Sequence, residues 1–167
     1  FMRFFLTGFM GSGKSYIGKQ LAERTGLTFV DLDSEIEKGE GRTISVIFTE
    51  GEETFRTLEA QYLRKMEKFE NAIIATGGGT PCFHSNMDWM NANGITVYLK
   101  VKPAILAARL SSEIEKRPLL NNNSELSLME RISALLSARQ SFYESVHFCY
   151  EIDDKEQNVT DELAYLF

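Results

Sequence analysis

The chain contains 167 residues, 43% of them hydrophobic, so it has the size of one domain with a sizeable core. A net charge of −6 excludes the broad positive surface by which proteins bind nucleic acids or anionic membranes. Cys82 and Cys149 are the only cysteines, and their spacing fits neither a disulfide framework nor a zinc site. The sequence also lacks a signal-like start and an apolar run of about 18 residues, so we expect a cytoplasmic protein that binds neither membrane nor nucleic acid.

Short apolar runs alternate along the chain with longer segments of helical periodicity. The predicted strands cover residues 4–6, 28–31, 72–75, 95–99 and 148–152. The predicted helices cover residues 14–25, 52–69, 85–93, 103–112 and 127–146. This alternation predicts a single α/β domain over residues 1–167, with a parallel sheet covered by helices on both faces. A charged, asparagine-rich stretch at about 111–126 is expected to form a lid between two helices.

A glycine-rich segment, GFMGSGKS at residues 8–15, follows the first predicted strand and precedes the first predicted helix. It fits the pattern G-x-x-x-x-G-K-[ST], in which glycines let backbone N–H groups surround a phosphate at a helix N-terminus. Lys14 can then reach the β- and γ-phosphates, and the Ser15 hydroxyl can bind Mg²⁺. A glycine-rich turn with a chance lysine is the alternative. The segment predicts a triphosphate and a metal, but it leaves the phosphate acceptor open.

Two aspartates, Asp31 and Asp33, stand at the end of the second predicted strand in the sequence FVDLD. On an extended chain their carboxylates point to one face, at the sheet edge where open α/β sheets bind ligands. One carboxylate could hold Mg²⁺ through water while the other accepts a proton or hydrogen bond from an attacking hydroxyl. In the alternative interpretation, Asp33 only caps a helix that begins near Glu35.

Two arginines in the predicted helices stand out by their neighbours. Arg139 falls on an apolar stripe that includes Phe142, where a guanidinium is costly unless it meets a carboxylate from a ligand or from an internal salt bridge. Arg56 has Glu52 and Glu59 at helical spacing, which by itself favours an exposed set of ion pairs. The functional alternative is that Glu59 fixes the Arg56 side chain so that its guanidinium faces a ligand.

Further candidates lie in loops and near helix ends. Residues 77–79 are three consecutive glycines after the third predicted strand, which indicates close approach of a ligand or positive φ angles, with a tight crossover turn as the alternative. Arg117, in the predicted lid, could neutralise transferring charge as an arginine finger, although loops are often charged. Arg109, near the end of a predicted helix, could stack on an adenine ring.

Motifs that occur together in one order cover roughly residues 3–152. They are GFMGSGKS, FVDLD, GE followed by FRTLE, TGGG, RPLL and ARQSFY. Together they resemble the shikimate kinase family, among the P-loop small-molecule kinases related in fold to the nucleoside monophosphate kinases. The resemblance implies a three-layer P-loop kinase fold, a five-stranded parallel sheet and an acceptor-binding helical segment at about 33–62. It also implies an enzyme that transfers the γ-phosphoryl group of ATP to the 3-hydroxyl of shikimate, a step of aromatic amino-acid biosynthesis. We expect this enzyme to be a monomer.

The resemblance assigns roles to individual residues. ATP would contact Gly11, Ser12, Gly13, Lys14, Ser15, Tyr16, Arg109 and Arg117. Shikimate would contact Asp33, Arg56, Gly78, Gly79 and Arg139. Mg²⁺ would bind Ser15 and, through water, Asp31, while Lys14, Asp33 and Arg117 would be the catalytic residues. The sequence departs from the family after residue 152, where the usual proline is absent, and in its acidic lid.

Other functions stay open on the residues alone. A kinase for another acidic polyol, such as gluconate, is one alternative, because the carboxylate and hydroxyls of that substrate would also suit Asp33, Arg56 and Arg139. A nucleoside monophosphate kinase would instead need a site for a second phosphate and a base. A nucleotide-binding regulatory module without catalysis is disfavoured because the catalytic set is complete.

Overall fold

The computed structural model describes residues 2–113, 127–153 and 158–167. In this part of the chain, five parallel strands form one sheet in the order β2-β3-β1-β4-β5. The strands are β1 (Met2–Thr7), β2 (Thr28–Asp31), β3 (Asn71–Ala75), β4 (Ile95–Val101) and β5 (Phe148–Ile152). The predicted five-stranded parallel sheet is therefore confirmed.

Helices connect these strands in the alternation that parallel pairing requires. They are α1 (Lys14–Thr25), α2 (Leu32–Glu40), α3 (Ile44–Phe48), α4 (Glu52–Lys65), α5 (Asn86–Asn93), α6 (Pro103–Leu110), α7 (Leu128–Tyr143) and α8 (Val159–Ala164). None of the described helices is long and apolar enough to cross a bilayer. Of the predicted lid, only residues 111–113 are described, and the rest lies outside the described residues.

The sheet is covered on both faces, because its central strands are apolar on both sides. Phe4 and Leu6 of β1 pack against α1, α6, α7 and α8 on one face. Phe5 packs on the opposite face with the apolar side chains of α2, α3, α4 and α5. These two core clusters give the expected three-layer arrangement.

The chain after β2 differs from the prediction. Helix α2 begins at Leu32, because the Asp31 side chain accepts a hydrogen bond from the Ser34 N–H at 3.2 Å and caps the helix. The extended chain that we expected through Asp33 is therefore wrong, and so is the alternative in which Asp33 is the cap. Helices α2, α3 and α8 have no counterpart among the helices predicted from periodicity, although α2 and α3 lie almost entirely within the helical segment at about 33–62 that the resemblance implies. The five and six residues of α3 and α8 are too few for a clear periodic pattern.

Strands β1 and β3 are neighbours, so the loops that follow them leave the sheet side by side. Leu6 is in register with Ala75. The N–H and the hydroxyl of Thr76 both donate to the Leu6 carbonyl, at 3.1 and 3.0 Å. The glycine-rich segment after β1 and the triple glycine after β3 therefore start one strand spacing apart, about 4.8 Å.

Candidate active site

The loop between β1 and α1 has the backbone of a phosphate cradle. Gly8, Gly11 and Gly13 have φ values of 151°, 80° and 91°, a region that favours glycine. A Cβ atom on Gly8 would also lie 2.9 Å from the Leu99 carbonyl oxygen, so the loop needs glycine there for a second reason. Helix α1 begins directly after Gly13, and its N-terminal N–H groups favour negative charge at this place.

Lys14 lies across the inside of this loop. Its Nζ donates to the carbonyl oxygens of Gly8 and Phe9 at 2.7 and 3.0 Å, and its side chain is buried. These bonds hold a compact positive charge inside the glycine-rich loop, and a lysine at this position of such a loop is the type of group that contacts the terminal phosphates of a nucleotide.

Ser15 and Asp31 form an oxygen pair beside the loop. The Ser15 hydroxyl donates to Oδ2 of Asp31 at 2.6 Å, while the cap bond to α2 fixes the other carboxylate oxygen. Mg²⁺ prefers oxygen ligands, and it usually takes only one or two from the protein while keeping several waters and phosphate oxygens. The pair therefore fits Mg²⁺.

Asp33 lies in the first turn of α2 and carries a carboxylate oxygen without a partner. Its Oδ1 is buried and makes no hydrogen bond, although the residue as a whole is half-buried. Burial, and then the negative charges of Glu59 and Asp31, raise the pKa of Asp33 to about 7, against the opposing charge of Lys14. A carboxylate with this pKa can take a proton from a hydroxyl at neutral pH.

Arg56 of α4 is buried rather than exposed, with 2% of its surface accessible. Its Nη1 donates to Glu59 at 2.9 Å, and Nε and Nη2 donate to Glu52 at 3.3 and 3.2 Å. The Phe83 ring lies 4.3 Å from its guanidinium carbon. The interpretation of an exposed set of ion pairs is therefore wrong, and Glu59 holds Arg56 as the functional alternative expected.

Gly79 and Thr80 complete the surroundings of Arg56. A Cβ atom on Gly79 would lie 2.4 Å from Nη2 of Arg56, so the guanidinium packs directly against the glycine backbone. The Thr80 hydroxyl donates to Oε2 of Glu59 at 2.7 Å, which gives both oxygens of this fully buried carboxylate a donor. The prediction of positive φ angles in the triple glycine is wrong, since none of its three residues has one. At Gly79 a protein side chain, Arg56, packs against the backbone, and close approach of a ligand stays a prediction.

Arg139 of α7 is also buried, with 6% of its surface accessible. Its Nη1 donates to the Tyr143 hydroxyl at 3.4 Å, and that hydroxyl donates to the Gly78 carbonyl. No carboxylate of the described residues forms a salt bridge with Arg139. Phe142 is 39% exposed, so its assignment to the apolar stripe is wrong, and Tyr143 takes its place in the core.

A cleft of about 970 Å³ runs along this edge of the sheet. It joins the phosphate loop to Asp31 and Asp33 on one side and to Gly77 and Gly78 on the other. Its lining is more polar than that of a typical small-molecule pocket, as expected for charged ligands.

Comparison with known proteins identifies the family. The family model described as shikimate kinase matches residues 10–166. The chain is 43% identical to a shikimate kinase of Phocaeicola vulgatus over 155 residues, which cover 92% of the chain and 89% of that protein. It is 42% identical to a shikimate kinase of Bacteroides thetaiotaomicron, with 93% and 89% covered. The chain belongs to the shikimate kinase family.

Solved structures of shikimate kinases have the same fold. The crystal structure of the enzyme from Bacteroides thetaiotaomicron matches with a TM-score of 0.87 at 40% identity, over 99% of this chain and 94% of that one. The enzyme from Acinetobacter baumannii in complex with shikimate matches with a TM-score of 0.86 at 33% identity, over 99% and 89%. The P-loop kinase fold implied by the sequence motifs is confirmed.

In this shikimate kinase family member, the cleft brings together most of the predicted site. The predicted residues that line it are Gly11, Ser12, Gly13, Lys14, Ser15, Tyr16, Asp31, Asp33, Gly78 and Arg109. Arg109 donates to the Gly11 carbonyl at 3.0 Å, so its guanidinium lies at the loop. Arg56, Gly79 and Arg139 do not line the cleft, but Arg139 reaches its wall at Gly78. Arg117 lies outside the described residues, and its role stays a prediction.

The cleft of this shikimate kinase family member also includes residues that the sequence interpretation missed. They are Gln20, Arg24, Thr76, Glu113, Asn158, Val159 and Thr160, among others. Gln20 and Arg24 follow Tyr16 at a spacing of four along α1, which could have marked one face of this helix. Thr160 donates to Gln20 at 2.5 Å, so α8 forms part of the far end of the cleft. No local pattern marks α8, because its position depends on packing against α1.

Proposed function

We propose that the residues of this cleft transfer the γ-phosphoryl group of ATP to the 3-hydroxyl of shikimate, giving shikimate 3-phosphate and ADP. Membership of the shikimate kinase family makes the protein an ATP-dependent shikimate kinase with Mg²⁺ as its metal. The observation that carries the assignment of residues is Arg139, a buried guanidinium without a carboxylate partner in the described chain, next to Gly78 in the cleft wall. A carboxylate on the acceptor supplies that partner.

The ATP end of the cleft consists of the loop residues Gly11 to Tyr16 together with Arg109. Backbone N–H groups and the α1 N-terminus hold the phosphates, and Lys14 reaches the β- and γ-phosphates. When Mg²⁺ is bound at Ser15 and Asp31, it neutralises charge on the phosphates. Arg117, in the predicted lid at about 111–126, lies outside the described residues, and on this proposal it contacts the ATP phosphates.

Asp33 and Gly78 line the acceptor end of the cleft, and Arg139, Gly79 and Arg56 lie behind this lining: Arg139 packs against Gly78, and Arg56 packs against Gly79. The two arginines hold the shikimate carboxylate, and this fixes the ring so that the 3-hydroxyl faces Asp33. Support comes from the free Oδ1 of Asp33, which is buried beside the triple glycine: a Cβ on Gly77 would lie 3.3 Å from it. Asp33 aligns the hydroxyl and accepts its proton as the new O–P bond forms.

Most of the catalysis on this proposal is positioning and neutralisation of charge. The helical segment at about 33–62 carries Asp33 and Arg56, so one part of the chain supplies much of the acceptor site. The other candidate functions have no support from the relatives, which are shikimate kinases rather than gluconate or nucleotide kinases.

We also infer that the enzyme works in the cytoplasm as a monomer. Support comes from its acidic charge and from Cys82 and Cys149, which are both free thiols. Light scattering during size-exclusion chromatography measures the molar mass of the protein at working concentration. A dimer would have twice the mass calculated for one chain and would contradict the inference of a monomer.

The activity is tested by ADP release from Mg-ATP in a coupled assay. We expect release with shikimate and only background release with gluconate or AMP at the same concentration. A rate with shikimate no higher than the acceptor-free rate would contradict the proposal. Calorimetric titration then tests the residues: Asp33→Ala and Arg139→Ala should each lose shikimate binding while their affinity for ATP stays within about twofold of wild type.

A further inference from the structure

Tyr143 lies between two parts of the acceptor end of the cleft, and no sequence pattern assigned it a role. Its side chain is completely buried, at the end of α7. Its hydroxyl accepts a hydrogen bond from Nη1 of Arg139 at 3.4 Å and donates one to the Gly78 carbonyl. One oxygen atom thus joins the guanidinium to the triple-glycine turn.

The ring of Tyr143 is held by the sheet. It stacks on Tyr98 of β4, with 4.9 Å between the ring centroids and 27° between the planes. Tyr98 is itself buried in a central strand of the core. The phenol oxygen therefore has a fixed position relative to the sheet, which a side chain at the surface would not have.

The hydroxyl stays a hydrogen-bond donor under all working conditions. Burial raises the pKa of Tyr143 to about 12, although the nearby charge of Arg139 acts in the opposite direction. The Gly78 carbonyl therefore always receives its donor, and the remaining lone pairs of the phenol oxygen face Arg139.

Arg139 depends on this hydroxyl for its orientation. Within the described residues, the Tyr143 hydroxyl is its one hydrogen-bond acceptor, and the Phe9 ring, 5.6 Å away, gives only a non-directional contact. The Gly78 backbone also packs closely against Arg139, because a Cβ atom on Gly78 would lie 3.2 Å from Nη1 of Arg139. A guanidinium with so few directional contacts would rotate if the hydroxyl were absent.

We propose that Tyr143 is a positioning residue for the acceptor, whose hydroxyl fixes Arg139 relative to Gly78 so that the arginine and the turn bind one shikimate molecule together. The inference rests on the proposed placement of shikimate at Arg139 and Gly78. Tyr143 does not touch the reacting atoms, so its hydroxyl affects binding of the acceptor rather than the transfer step. The loss should therefore appear in KM and not in kcat.

The test compares Tyr143→Phe with Tyr98→Phe, which makes the same change in the stacked partner ring. We expect Tyr143→Phe to raise KM for shikimate about tenfold, with kcat and KM for ATP within about twofold of wild type. Tyr98→Phe should leave all three within about twofold. An unchanged KM for shikimate in Tyr143→Phe, a lower kcat at constant KM, or an equal effect of Tyr98→Phe would overturn the inference.

The Arg139→Ala background separates this inference from the proposed function. If Arg139→Ala leaves the affinity for shikimate unchanged, the placement of the acceptor is wrong. If Arg139→Ala weakens binding but Tyr143→Phe does not, only the role of Tyr143 is wrong. In the double variant, Tyr143→Phe should add less than about twofold, because its effect requires the guanidinium.

A measurement on the wild-type protein covers the case in which Tyr143→Phe does not fold. In protein labelled with ¹³C at the tyrosine ring carbon that bears the hydroxyl, the Tyr143 signal should shift on saturation with shikimate. The Tyr98 signal should shift much less. A Tyr143 signal that does not move at saturating shikimate would overturn the inference.

Discussion

Nη1 of Arg56 donates to Oε1 of Glu59 over 2.9 Å, where the two side chains are only 3% and 0% exposed. Glu59 therefore holds the Arg56 side chain in one orientation, and we propose that this arginine binds the acceptor. A buried ion pair contributes little net stability when intact, but removing one partner leaves an uncompensated buried charge.

We expect Glu59→Gln to raise KM for shikimate at least about tenfold and to destabilise the fold by about 3–5 kcal/mol, because Arg56 loses its buried counter-charge. Steady-state kinetics and urea unfolding measure the two effects. Glu53→Gln is the matched control, since Glu53 is 79% exposed on the same helix and should change neither. Equal effects of both substitutions would contradict the role of Glu59.

The pH dependence of kcat/KM should reflect the titration of Asp33. Burial and the charge of Glu59 raise the pKa of Asp33 to about 7, and only the unprotonated carboxylate can accept a proton. We expect kcat/KM for shikimate to fall about tenfold per pH unit below this value. In Glu59→Gln the fall should begin at lower pH, because one of the charges that raise the pKa is gone. A flat wild-type profile between about pH 5.5 and 8 would exclude Asp33 as the base.

Asp33→Asn should lower kinase activity and raise the stability of the fold at neutral and higher pH. The pKa of Asp33 is 3.8 without perturbation and about 7 in the folded protein, so the folded state binds more protons between these values. Wild-type stability from this group is therefore complete below about pH 4 and is lost as the pH rises towards 7. This difference corresponds to at most about 4 kcal/mol, and partial contact with solvent reduces it.

We consequently expect Asp33→Asn to have a higher Tm than wild type at pH 8, a clearly smaller gain at pH 5, and almost no kinase activity. Thermal unfolding at the two pH values measures the change. A variant that is destabilised equally at both pH values would show that Asp33 has a structural role that the burial of its Oδ1 does not explain.

Removal of the Ser15 hydroxyl should weaken metal binding selectively. Ser15→Ala deletes the oxygen that lies 2.6 Å from Asp31, and we expect the Mg²⁺ concentration for half-maximal rate to rise about 10–100-fold. Binding of shikimate in calorimetry should stay unchanged, because the acceptor residues lie on other elements. An unchanged requirement for Mg²⁺ would exclude Ser15 as a ligand.

Gly79→Ala should displace Arg56. The Gly79 backbone has φ −93°, which alanine adopts without strain, so the substitution tests only the added methyl group. That methyl would lie 2.4–2.7 Å from the Arg56 guanidinium, and the arginine must move. We expect binding of shikimate to weaken about tenfold or more, while ATP affinity measured by calorimetry stays within about twofold. Retained affinity for shikimate would mean that Arg56 does not hold it.

Much of the fold follows from local pattern, and the exceptions have physical reasons. The five strands could be predicted from short apolar runs and the phosphate loop from its glycines, because both patterns are local and do not depend on distant residues. The predicted strand at 28–31 is confirmed, but the polar and apolar alternation in FVDLD also favoured an extended chain as far as Asp33. Helix α2 begins at Leu32 instead, because the Asp31 side chain accepts a hydrogen bond from the Ser34 N–H.

The burial of Arg56 could not be predicted from its own helix. Glutamates at three and four residues favour an exposed ion-pair set, and the outcome is decided by Phe48, Phe55 and Phe83, which surround the guanidinium in space. Phe83 comes from a distant part of the chain. The importance of Tyr143 depends in the same way on Gly78, which is 65 residues away.

The pairing of β1 with β3 has a consequence for the reaction itself. The glycine-rich loop, where we propose the donor phosphates, and the triple-glycine turn, where we propose the acceptor, follow adjacent strands, and Thr76 hydrogen-bonds to Leu6 where the two segments begin. The separation between the two substrates is thus tied to the repeat of a hydrogen-bonded sheet, a dimension that side-chain substitutions hardly alter. Substitutions in the side chains around the acceptor can therefore change which acceptor binds and how tightly. The distance between donor and acceptor stays the same as long as the sheet is conserved.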